Sequence, residues 1–334
     1  MGYSALNPER RSQLLAAKLR ALAAHLDLAD GEPGTFPGGA TLLAGGRGAF
    51  LGEDRPQRSL GPALAWARKH GVTDLHVLVP DAAGLLARRA NEFELPPAIW
   101  RVDGRELHRV TPEPLPAAAV PPHDALALAP QLDAAGADVV VEHGVVRGEV
   151  LGLEIARVVA GDNGARIEAG VGRHDREAFA IIHGDLPTEA ALAEVVGAAR
   201  AHRRRDATAS PRRGHPLWRL AAERWLREVV IAHPELVGAD RLLRHEGPQP
   251  TPNVKEPWPA VAITDELCVV CSVGTDLDLV PYAADARLAT DPDARLVLVV
   301  PERDAHPATR ALAASLKQPA EVVTVPADWR SLVP

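Results

Sequence analysis

The sequence predicts a mixed α/β protein of more than one lobe, and three observations carry that prediction. Its 334 residues exceed the roughly 100–200 of a typical single domain. Hydrophobic residues make up 46% and charged residues 24%, the balance of a chain that buries a core rather than staying disordered. Strand-like apolar runs alternate with helix-periodic stretches near both ends, which is the pattern of βαβ units. Proline-rich connectors at 111–122 and 247–259 then divide the chain. The predicted lobes are an N-terminal α/β lobe over 1–110, an antiparallel β-meander with helices over 124–246, and a Rossmann-like parallel βαβαβ lobe over 260–334.

The first lobe opens on Leu15, Leu19, Leu22 and Leu26, whose spacings of three and four define one helix face within residues 12–26. Residues 41–44 and 49–52 flank Gly45-Gly46-Arg47-Gly48 and predict two strands joined by a glycine turn. A helix over 60–70, a strand over 75–79, a helix over 82–93 and a strand over 98–102 form a βαβ unit. In the connector that follows, Pro112, Pro114, Pro116, Pro121 and Pro122 remove the N–H donors that a helix or a ladder needs.

In the middle of the chain, residues 138–142, 145–159 and 166–171 are β-rich, with Gly144 and Asp162-Asn163-Gly164 as turns, and predict the meander. A helix over 188–202 follows, with Pro187 before it and Arg203-Arg204-Arg205 at the end that favours cations. A loop containing Arg212 and Arg213 leads to a long helix over 215–232, on which Trp218, Trp225 and Val229 mark a buried stripe. The second connector reads as a hinge or a surface strap. Beyond it, strands are predicted over 260–263, 268–272, 296–300 and 321–325, with helices over 277–289 and 307–316 between the last three.

Composition narrows the function classes. The net charge of −7 argues against a broadly basic surface that coats nucleic acid, though it allows a local basic patch. No apolar stretch reaches the roughly 20 residues that span a bilayer, and residues 1–20 lack the apolar core of a signal peptide. A cytoplasmic setting without a membrane partner is expected. Cys268 and Cys271 sit within the apolar run Leu267-Cys268-Val269-Val270-Cys271, which reads as one buried strand carrying them on opposite faces, reduced and structural.

Two places carry candidate chemistry. The first is the meander, where Arg147-Gly148-Glu149-Val150-Leu151-Gly152-Leu153-Glu154-Ile155-Ala156-Arg157 precedes a turn and Arg166-Ile167-Glu168-Ala169-Gly170-Val171. This arrangement of strand, turn and strand resembles the core of the PD-(D/E)XK nuclease superfamily over residues 138–180. The resemblance implies carboxylates at Glu154 and Glu168 converging on Mg or Mn, with nucleic acid as the substrate or partner. His174 is the neighbouring candidate base. The lysine position of the pattern falls on Gly170, so the scaffold implied is a degenerate one. A second reading of Glu149, Glu154 and Glu168 is the solvated face of a half-exposed sheet. Likewise Arg173-His174-Asp175-Arg176-Glu177 reads either as an anion grip or as an ordinary helix start with Asp175 as its cap.

The second place lies where the last strands end, at the edge where open α/β sheets bind ligands. There Gly274, Thr275 and Asp276 follow one strand, and Arg303 and Asp304 follow the next. Ligand binding by these residues and helix capping by Thr275 and Asp304 are both consistent with the sequence. No nucleotide-binding glycine motif, nucleophile elbow or zinc-binding helix motif is present. Two functions follow as expectations: a degenerate nuclease-like protein acting on or near nucleic acid, or a non-catalytic ligand-sensing or partner-binding protein using the last lobe.

Overall fold

The computed structural model describes residues 7–161, 164–183, 188–203, 216–251, 253 and 255–332. Asp162, Asn163, Pro187, Arg204, Arg205, Arg212, Arg213 and the predicted helix start at His215 lie outside the described residues. The fold is mixed α/β, with three sheets drawn from three successive stretches of chain. It divides into two compact units: Met1–Leu115 with Asp276–Asp285 and His306–Glu321, and Pro116–Thr275 with Ala286–Ala305 and Val322–Pro334. Among the described residues no helix is long and apolar enough to cross a membrane.

Unit 1 begins with α1 (Pro8–Ala23), whose first turn is capped by the Asn7 side chain accepting the Glu9 N–H. The chain then forms β1 (Glu32–Phe36), β2 (Gly39–Ala44), β3 (Arg47–Gly52), α2 (Leu60–Lys69), β4 (Asp74–Val79), α3 (Ala83–Ala90), β5 (Ala98–Asp103) and β6 (Glu106–Arg109). The six strands lie in sequence order. Strands β3, β4 and β5 are parallel because α2 and α3 carry the chain back between them, while β1, β2 and β6 pair antiparallel. Leu15, Leu19 and Leu22 pack against Leu42, Ala49, Leu51 and Leu78, so the helix face read from leucine spacing is a core face.

The later segment of unit 1 docks through charge. Asp278 accepts the Gly61 N–H at 3.1 Å, supplying the first turn of α2 with the cap that Ser59 does not provide, and also accepts Arg89 Nη1 at 3.1 Å. Asp285 takes Arg88 Nε at 2.7 Å and Arg89 Nε at 3.2 Å. These side chains are buried, and burial alone would make their charges costly without such pairing.

Unit 2 opens with α4 (His123–Leu126) and α5 (Ala129–Ala134), preceded by an exposed connector without helix or strand. The meander is β7 (Asp138–Glu142), β8 (Val145–Val150), β9 (Leu153–Gly161) and β10 (Gly164–Ala169), four antiparallel strands in sequence order. The predicted single run over 145–159 is therefore two strands. They turn at Leu151 and Gly152, both in the left-handed region with φ of 49° and 75°. That pair suits a two-residue hairpin, but a leucine there carries no turn signature.

Helices α6 (Gly172–His183), α7 (Thr188–Arg203), α8 (Pro216–Arg219) and α9 (Ala222–Ala232) come next. The long helix predicted over 215–232 is broken at Ala221, which has φ 48°. Arg203 explains the break: its buried guanidinium binds the carbonyls of Leu217 (3.1 Å) and Leu220, satisfying the end of α8 so that α9 starts afresh.

The third sheet takes the order β11 (Leu243–His245), β12 (Ala260–Ile263), β13 (Leu267–Cys271), β14 (Arg295–Pro301), β15 (Glu321–Val325). Helix α10 (Leu279–Thr290) links β13 to β14, and α11 (Pro307–Ala313) lies between β14 and β15. β13 and β14 are parallel, and β11 and β12 extend the sheet antiparallel. Cys268 and Cys271 are free and buried on β13, and burial pushes the Cys268 thiol up to about 12 and that of Cys271 higher still. Trp218, Trp225 and Val229 lie in the core that backs this sheet.

Candidate functional site

The chemistry of unit 2 concentrates where α9 meets the meander. One side of α9, with Trp225, Leu226, Val229 and Val230, packs on the third sheet. Its other side carries Arg224, Arg227 and Glu228 onto the meander. The helix is buried on both sides, so its charged side is not a solvated surface.

Register explains which meander residues face it. Arg147 pairs with Arg157 and Gly148 with Ala156, but Glu149 pairs with Glu154, leaving Ile155 as an extra residue in β9. This bulge shifts the alternation by one, so Glu154 and Arg157 share a face instead of opposing each other. Glu168 lies opposite Arg157 and joins the same face, as do Arg147, Glu149 and Glu142. The reading of Glu149 and Glu154 as a solvated face is thereby corrected: they are only 1% and 6% exposed. The apolar alternate face, with Val146, Val150 and Val158, packs on Leu192, Val195 and Val196 of α7.

Four buried carboxylates on or against this face meet six guanidiniums. Glu142 accepts Arg147 Nη1 at 3.2 Å, Arg227 Nη1 at 3.1 Å and Arg224 Nη2. Glu149 accepts Arg224 and Arg227, and Glu228 accepts Arg227 Nε at 3.1 Å and Arg244 Nε at 2.8 Å. Glu154 sits in the fork of Arg157 (2.8 and 2.9 Å) and also accepts Arg176 Nη1 at 3.0 Å. Burial opposes ionisation of Glu142, but Arg224, Arg227 and Arg147 outweigh it and hold the carboxyl at about 2. For Glu154 burial is likewise outweighed, chiefly by the Arg157 fork, and the carboxyl is held low. At Glu149 burial wins and the carboxyl is pushed up. Burial also lowers Arg147 against the pull of Glu154.

A cleft of about 300 Å³ adjoins the network. The meander contributes His143, Arg147, Gly152, Glu154 and Arg157, the start of α9 contributes Glu223 and Arg224, and the second connector closes it with Thr251, Asn253, Glu256 and Trp258. That connector is thus a strap over the cleft. Gly152 is required here, because a Cβ at its φ of 75° would lie 2.5 Å from the Arg224 backbone. Arg147 is buried, yet its Nε has no hydrogen-bond partner and lies 3.4 Å from Glu154 Oε2. Its Nη2, and Nη1 of Arg157, donate to no described residue.

The predicted site residues are thus partly assembled. Glu154 and Glu168 share a face, but Arg176 lies between them, with Nη1 at 3.0 Å from Glu154 and Nε at 3.7 Å from Glu168. Arg166 takes the other Glu168 oxygen at 2.7 Å. The oxygens that Mg or Mn would need are held by guanidiniums, and among the described residues no group of three or more His, Cys, Asp or Glu is placed to hold a metal ion. These residues do not fit a divalent ion. His174 is apart from the pair, 90% exposed, with Glu177 at 3.6 Å. Asp175 is not the helix cap, because α6 starts three residues earlier at Gly172; from within the first turn its carboxylate reaches back to accept the Val171 N–H at 2.6 Å, in the manner of a capping box.

At the other candidate place, Gly274 and Asp304 come together through a 2.8 Å hydrogen bond from the Gly274 N–H. Arg303 and Thr275 are exposed, and Asp276 belongs to unit 1, where it pairs with Arg58. Thr275 does not cap α10, which begins at Leu279. Sequence reading missed Arg147, Arg157, Arg224 and Arg227 as site residues, and took Arg176 only as part of the polar cluster at 173–177. The available signal was the alternation of Arg147 and Glu149 in β8, together with Glu223, Arg224, Arg227 and Glu228 on one side of α9. Comparison with protein-family models, with curated proteins and with solved structures finds no match.

Proposed function

We propose that this chain is a non-catalytic ligand-binding protein whose site is the cleft of unit 2, and that the ligand enters through an anionic group, a carboxylate or a phosphate. The observation that carries this reading is at the wall of the cleft, where Arg147 Nε is buried without a hydrogen-bond partner and Nη1 of the one-third exposed Arg157 donates to no described residue. A buried donor left unmet costs about 1–3 kcal/mol, and an oxyanion spanning the two arginines relieves that cost. The ligand site expected in the last lobe is placed instead at this cleft, because Gly274 and Asp304 are bonded to each other and Thr275 and Arg303 stand exposed.

A nuclease-like scaffold without its metal is the second reading, favoured by the shared face of Glu154 and Glu168. Arg176 then takes the place of the cation, and contact with nucleic acid would be through phosphate. The parallel crossover from β13 through α10 to β14 supports a Rossmann-like reading of the third sheet, and the free, buried cysteines suit a reducing cytoplasmic setting.

Calorimetry on the wild type and on Arg157→Gln tests the lead. Arg157 is one-third exposed, so the variant is expected to fold. Inorganic phosphate or citrate is expected to bind the wild type and to lose about tenfold or more in affinity in the variant. Absence of binding by both anions, or equal affinities, would overturn the proposal. Nucleic-acid binding that needs no divalent ion and is lost in Arg176→Gln would favour the nuclease-like reading.

A further inference from the structure

A second cavity lies wholly within unit 1, where a groove of about 850 Å³ runs between the β1–β2 hairpin, α2 and the start of α11. Its walls are apolar, with Phe36, Pro62, Trp66 and Leu277 among them, and every charged or titratable side chain lining it is basic: Arg68, Lys69, His70 and His306. That composition stands out in a chain whose net charge is −7. Arg68 and Lys69 are exposed and have no ion-pair or hydrogen-bond partner among the described residues.

The two histidines are held in defined orientations. His70 Nδ1 is 2.8 Å from the Trp66 carbonyl, so it donates there, and Nε2 can donate to an anion when the ring is protonated. His306 Nδ1 accepts the Ala308 N–H at 3.1 Å, so its neutral ring carries hydrogen on Nε2 and can donate. The cations are consecutive in sequence at the end of α2, a cluster suited to one multiply charged group rather than to carboxylates spread along a peptide. Aromatic rings of Phe36 and Trp66 line the remainder and suit a planar ring. The volume lies within the range of about 300–1,000 Å³ usual for small-molecule sites.

From this juxtaposition we infer that unit 1 binds a nucleoside phosphate, with the phosphates on Arg68, Lys69 and the histidines and the base against Trp66 and Phe36. The site is independent of the cleft in unit 2. Calorimetric titration of the full chain with ATP, adenosine and pyrophosphate tests it. ATP is expected to bind more tightly than either fragment and to lose about tenfold or more in affinity in the Arg68→Glu/Lys69→Glu double variant. Both substituted side chains are exposed and unpaired, so folding is not at stake. Failure of ATP to bind at millimolar concentration, or equal affinity in the double variant, would overturn the inference. Binding of a polyglutamate peptide in place of ATP would overturn it in favour of an acidic polypeptide.

Discussion

Glu142 shows at a single residue how the network of unit 2 is held. Its carboxyl titrates near 4.5 when unfolded and at about 2 when folded, because three arginines outweigh the burial that opposes its charge. A folded-state value below the unfolded one means that the ionised form stabilises the fold above pH 4.5, and that this contribution is lost as pH falls toward 2. The displacement corresponds to about 3 kcal/mol. Glu149 acts in the opposite sense: burial raises its value, so its contribution is lost as pH rises above 4.5. Glu142→Gln is therefore expected to lower unfolding stability at pH 7 by about 3–5 kcal/mol, since it strips a charge from Arg224 and Arg227. Urea unfolding from pH 7 downward should show the gap to wild type narrowing below pH 4.5. A gap that stays constant across that range would show that Glu142 does not act through its charge.

The elements follow from local signals wherever they are central, and depart from them at edges and breaks. Leucine spacing in α1, the glycine turn between β2 and β3, and the apolar runs of β4, β13 and β14 were legible, because each records a buried face. Strands β1, β6 and β11 were not, and all three are edge strands. An edge need not be apolar, and β1 even carries Pro33 and Gly34. The bulge at Ile155 depends on pairing across strands, which no single stretch of sequence reveals, so the shared face of Glu154 and Glu168 was expected only from the resemblance and not from the alternation of β9. The arginines were hidden for a related reason: charges on a helix read as solvated unless both its sides are known to be covered. Arg203 illustrates the point, since it reads as a helix-end cation and in fact binds three carbonyls, those of Leu151, Leu217 and Leu220. Arg203→Met should leave these carbonyls unmet and lower stability by about 3–5 kcal/mol, with fraying of α8 and of the start of α9 visible as faster amide exchange there. Unchanged exchange and stability would remove Arg203 from the account of the helix break.

On the scale of the whole molecule, unit 2 is organised around α9, which gives its apolar side to one sheet and its charged side to another. A helix so placed costs desolvation of several ions, and hydrophobic residues would pack as well. What the charges provide is a wall of fixed guanidiniums beside a cleft closed by the strap, with two arginines still holding open donors. The central claim is that an anionic group belongs between those two. Crystals of the protein soaked in selenate, an oxyanion with an anomalous signal, test it most directly. The account predicts an anomalous peak within hydrogen-bonding distance of Arg147 and Arg157 that disappears in Arg157→Gln. A cleft without such a peak, while selenate is found elsewhere on the surface, would contradict it.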